Sequence, residues 1–186
     1  MGKRVIWTKR DPTDRAKAGR KRIRAEVAHF IESSTNEGSG RGGRVKVGHD
    51  GLIYVPSVAD GTVEVFALQP NQTLALLHTI HTGMPLDNIS PDARGDLWVP
   101  GFPDTRQTMK DMAGPYNEIS PATVFRIRKM MSAEQEDKLE YEVKKVIEDK
   151  EVGVINRATT VVHDFKSRRL FLGGAVALFI VICEPR

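Results

Sequence analysis

Cysteine is almost absent from this chain: one residue in 186. That excludes a self-contained disulfide framework and a cysteine-built zinc cluster. Long apolar runs are missing too, none reaching the roughly 18 residues of a membrane-spanning helix. The opening MGKRVIWTKRD lacks the apolar core of about 7–15 residues that a secretory signal carries, and no compartment follows from the sequence. Neither Ser57 nor Ser90 sits in a Gly-x-Ser-x-Gly elbow, which argues against a serine hydrolase. The remaining composition, 40% apolar and 28% charged, is that of a globular protein and excludes collagen-like, coiled-coil and wholly disordered chains.

Charge is present but unevenly placed. The net charge is +4; residues 1–46 hold 13 Lys and Arg against 5 Asp and Glu, and the other 140 residues hold 15 against 19. The body of the protein is therefore mildly acidic, and nucleic-acid binding by it is not expected. Within the basic segment, Ala16, Ile23, Val27, Phe30 and Ile31 recur with helical spacing behind a start at Thr13-Asp14. A Gly/Ser-rich stretch, residues 33–43, reads as a linker. Residues 1–45 are thus expected to be a basic, partly helical or disordered segment. Its run RAKAGRKRIR (residues 15–24) reads as a solvated tail, because no nucleic-acid-binding fold accompanies it.

From residue 46 the period changes to that of strands. Leu52–Val55 follows a turn at Asp50-Gly51, the run 62–67 follows Asp60-Gly61, and Leu74–Ile80 follows Pro70-Asn71. Short strands divided by Gly, Pro, Asn and Asp indicate an all-β domain. Residues 132–140 offer its one candidate helical turn and read better as a solvated loop. The stretches at 49–55, 92–99 and 163–172 repeat one pattern, an Asp-containing turn feeding an apolar strand. Leu52 to Leu97 is 45 residues and Leu97 to Leu170 is 73. The first interval fits one four-stranded propeller blade and the second a blade with insertions, placed at 103–120 and 131–140. The apolar run 170–183 is too short to anchor in a membrane, and its Gly-Gly break predicts two core strands.

Chemistry concentrates at Leu86-Asp87-Asn88-Ile89-Ser90. Carboxylate and amide oxygens are hard ligands suited to Ca²⁺, although an Asp-Asn pair alone is more often a turn. Together with Gly95-Asp96-Leu97-Trp98-Val99 this segment resembles the serum paraoxonase/arylesterase family. Further similar stretches are residues 50–57, Thr123–Arg128, Thr159–Asp164, Leu170–Gly174 and Phe179–Glu184, the last most like fungal members. The resemblance covers about residues 46–184 and looks like the C-terminal half of the family's chain.

That resemblance implies part of a six-bladed β-propeller, about three blades over residues 46–186, behind a basic N-terminal tail that does not match. It implies a calcium-dependent hydrolase of aryl esters and lactones, acting by metal-assisted water attack with the oxyanion stabilised by Ca²⁺. Asp87 and Asn88 fall on metal-ligand positions. The family's other ligands and its proposed base histidines lie in the half this chain does not match. Where animal members have a histidine after the Trp-Val strand, this chain has Pro100-Gly101-Phe102, and Cys183 lacks the second cysteine with which animal members pair it. The alternatives are a truncated, catalytically inactive propeller fragment, one that self-associates through open blade faces, or a basic-tailed binding protein. His49, His78, His81 and His163 read as surface or turn residues, and His78 and His81 fall on opposite faces of a strand. Two glycosylation sequons are present, at Asn71 and Asn88, the second in competition with the metal role.

Overall fold

The computed structural model describes residues 44–114, 117–130, 139–152, 155–177 and 179–185. The expected basic segment up to residue 43 and most of the loop at 132–140 lie outside the described residues.

Three antiparallel sheets succeed one another along the chain. The first holds β1 (Lys46–Val47), β2 (Ile53–Pro56), β3 (Thr62–Leu68) and β4 (Leu74–His81). The second holds β5 (Ser90–Pro91), β6 (Leu97–Gly101), β7 (Ala122–Met130) and β8 (Glu140–Asp149). The third holds β9 (Thr160–Asp164), β10 (Arg169–Gly173) and β11 (Val181–Cys183). Strands pair in the order in which they occur in the chain. Each sheet is therefore an up-and-down meander, the form of a propeller blade. Among the described residues no sheet closes into a barrel, and the architecture is a partial β-propeller of three blades.

The sequence repeat maps onto equivalent strands, since β2, β6 and β10 are the second strand of their sheets. Before each, an aspartate organises the turn. Asp50 accepts from the Leu52 amide at 3.2 Å, Asp92 from the Arg94 amide at 2.8 Å, and Asp164 from the Lys166 amide at 3.3 Å. Strand β6 is apolar throughout because both its faces are covered. Leu97 and Val99 pack with Tyr54, Val63, Val65 and Ile80 of the first blade, whereas Trp98 packs with Val161, Leu170 and Leu172 of the third. The run 170–183 corrects its expectation in part. It does hold two strands, and Leu170 and Leu172 are buried, but Phe179, Ile180 and Ile182 are 50–70% exposed. The third sheet shows only three strands among the described residues, so β11 is its outer edge.

One helix occurs among the described residues, α1 (Thr105–Ala113). It lies in the insertion at 103–120; of the stretch 132–140 only the last two residues are described, and Glu140 belongs to β8. Asp104 caps it, its Oδ1 accepting from the Gln107 amide at 2.9 Å. Asp111, 1% exposed, ties α1 to the β8–β9 connection. Its Oδ1 stands 2.8 Å from Arg157 Nε, and its Oδ2 accepts from the Ser120 hydroxyl at 2.7 Å.

The loop after β4 depends on Gly61. Its φ is +70°, and a Cβ there would lie 2.6 Å from the Met84 carbonyl oxygen. The Gly61 carbonyl accepts from the Thr82 amide at 2.9 Å and from its hydroxyl at 2.8 Å. Gly61→Ala combines left-handed strain with a backbone clash, and is expected to cost about 2 kcal/mol or more. Urea denaturation checks this; a loss within about 0.5 kcal/mol, the range of an ordinary surface substitution, would show that the loop yields freely.

Candidate metal centre

The segment Met84–Ile89 is held by the ends of strands from all three blades. The Leu86 amide donates to the Ser57 carbonyl at 2.9 Å, just past β2. The Asp87 amide donates to the Pro100 carbonyl at 3.2 Å, in β6, and Phe102 returns a bond to the Pro85 carbonyl at 2.9 Å. The Asn88 amide donates to the Thr159 carbonyl at 3.2 Å, and Asn88 forms a parallel bridge with Thr160 at the start of β9. Leu86 and Ile89 are fully buried on either side. These two apolar side chains pin the backbone while the polar pair between them stays half-buried. The pair thus lies where the first strands of the second and third sheets meet.

The two side chains are held differently. Burial pushes the Asp87 carboxyl up to about 6, against the opposing influence of the Asn88 amide and the Arg44 charge. Asn88 Nδ2 donates to the Thr159 carbonyl at 2.8 Å and contacts Thr160 Oγ1 at 3.2 Å. Its Oδ1 accepts from the Arg44 amide at 3.2 Å. A desolvated carboxylate and an oriented amide oxygen are, each by itself, donors of the kind a hard cation takes. They fit part of a calcium shell. Two side chains offer at most three of about six to eight oxygens, and no group of three or more His, Cys, Asp or Glu that could hold a metal ion gathers among the described residues.

The other candidates fall elsewhere. Ser57 is buried, with Oγ 3.3 Å from the Ala59 amide, a turn role. His49 and His81 are exposed, while the His78 ring lies 5.3 Å from that of Tyr141. Asn71 Oδ1 accepts from the Thr73 hydroxyl at 2.8 Å, so that sequon forms an exposed turn. Gly101 ends β6. A Cβ there would meet Phe125 at 2.8 Å and Met84 at 3.0 Å.

His163 differs from its reading as a surface or turn residue. Its Nδ1 lies 2.7 Å from Asp92 Oδ2, with side chains 13% and 1% exposed, and its ring stacks on Trp98 at 4.4 Å. This pair joins the second and third blades at the far end of β9 from Asn88. Nothing near His163 in sequence marks it, because the partner is 71 residues away and the blades must dock to bring them together.

Consecutive antiparallel meanders of four, four and three strands, with the Asp87-Asn88 loop held by strand ends of all three, define a partial β-propeller. The arylesterase family model matches residues 38–184, and the chain belongs to that family, the paraoxonase/arylesterase-like hydrolases. No curated protein matches the chain.

Proposed function

We propose that this chain acts as a calcium-dependent hydrolase of aryl esters and lactones, with Asp87 and Asn88 among the metal ligands. The observation that carries the reading is the half-buried Asp87 carboxyl on a loop held by strand ends of all three blades, where burial pushes it up to about 6. Family membership supports a small-molecule ester as substrate and calcium as the cofactor. Asp87 supplies the negative charge and Asn88 a neutral oxygen, while Leu86 and Ile89 hold the loop that carries both. A calcium ion bound there would supply positive charge to an ester carbonyl oxygen and to the oxyanion formed from it.

A specific observation favours a second reading, a catalytically silent fragment. Among the described residues no three His, Cys, Asp or Glu gather as a metal site, and the Arg44 amide already occupies a lone pair of Asn88 Oδ1. Calcium titration by calorimetry, run beside phenyl acetate and lactone hydrolysis assays, separates the two. The hydrolase reading expects saturable calcium binding and turnover lost on chelation. Calcium at a hundredfold excess over its dissociation constant should then add about 2.7 kcal/mol of stability. No heat of binding and no turnover would leave the silent fragment.

A further inference from the structure

We infer that Thr160 is a positioning residue that sets which atom of Asn88 is presented to a cation, an inference that rests on the metal-ligand reading above. The chemistry of the neighbours fixes the Asn88 amide. Its Nδ2 faces the Thr159 carbonyl oxygen at 2.8 Å, an atom that can only accept. Its Oδ1 faces the Arg44 amide at 3.2 Å, a group that can only donate. Turning the amide over would oppose two acceptors on one side and two donors on the other.

The Thr159 and Arg44 bonds set which way the amide faces. The Thr160 hydroxyl, 3.2 Å from the same nitrogen, adds a further point on the nitrogen side that holds its plane. Nδ2 is then bonded to both Thr159 and Thr160, and Oδ1 keeps one lone pair beyond that used by Arg44. Thr160 belongs to the third blade and Asn88 to the loop entering the second, so the oxygen is aimed only when the two blades are docked. Partners of this kind, behind a ligand, typically govern metal affinity by about 10–100-fold.

The test is calcium affinity by calorimetry on the full chain, with the calcium-free melting temperature measured alongside. Thr160→Val, which keeps the shape and removes the hydroxyl, should weaken calcium about tenfold, and Thr160→Ser should restore it to within about twofold. Should the Val variant not fold, Thr160→Ala replaces it with the same expectation. A Val or Ala variant that binds calcium as tightly as the parent overturns the positioning role and leaves Asp87 and Asn88 as ligands. A parent chain that binds no calcium overturns both. Loss of affinity in the Ser variant equal to that in the Val variant also overturns the role, since bulk and not the hydroxyl would then be responsible.

Discussion

Asp87→Asn is expected to raise the melting temperature of the calcium-free protein and to abolish its response to calcium. The two effects share one cause. The Asp87 carboxyl is pushed up to about 6 by burial, above its ordinary value of 3.8, so the folded state holds a charge that its surroundings disfavour. As pH rises from about 4 to 6 the unfolded chain releases this proton first, and stability falls across that window. Above pH 6 the penalty is constant. The uncharged amide removes it, so the gain is full at pH 7–8 and absent below about pH 4. The carboxyl is only half-buried, and after solvent screening the gain is about 1 kcal/mol, or about 2–4 °C. Calcium offsets the same penalty in the parent, and without the carboxylate its affinity should fall by about 100-fold or more. Thermal melts at pH 4 and pH 7.5, with calcium and with chelator, check all four corners. A lower melting temperature in chelator, or an intact calcium response, would remove Asp87 as a cation ligand.

The parts of the fold legible in sequence are those where one strand carries its own signals. Strands β2, β6 and β10 each follow an aspartate turn and are apolar enough to be seen as a repeat, and each lies within a stretch that resembles the family. The first strands were not legible, because β1 and β5 are two residues each and exist through pairing with the strand that follows. Helix α1 had a signal, Asp104 three residues before Gln107, but Pro103 and the surrounding strand pattern masked it. The exposure of Ile180 and Ile182 could not be read from an apolar run, since hydrophobicity does not say which neighbour covers a face. For the candidate site the sequence offered the ligand types, and the convergence of three blades on one loop came only from the tertiary pairing of Asn88 with Thr160. Asp92 was visible as a turn former; its bond to His163 was not.

That bond gives Asp92 the largest expected effect on stability. The carboxylate accepts from the Arg94 and Asp96 amides at 2.8 and 3.2 Å through Oδ1. Through Oδ2 it meets Trp98 Nε1 at 3.0 Å and His163 Nδ1 at 2.7 Å. Burial alone would raise this carboxyl, but the bonds from Trp98, His163 and Arg94 outweigh burial and hold it below its ordinary value. Asp92→Ala would leave the Trp98 N–H buried without its acceptor and cut one polar link between the second and third blades. The expected cost is about 3–5 kcal/mol. Because the native carboxyl is depressed, its contribution is complete above the unfolded value near 3.8 and is lost as pH falls through the lower native one. Asp92→Asn should flatten that acid limb of the stability profile. In a double-mutant cycle with His163→Ala, coupling of about 1–3 kcal/mol is expected, read by urea denaturation at pH 7. His163 is three residues along β9 from Thr160, about 10 Å, so calcium affinity in Asp92→Asn should stay near that of the parent while stability drops. Additive losses in the cycle would mean that Asp92 only shapes its own turn, and that apolar packing around Trp98 and Leu172 holds the blades together by itself.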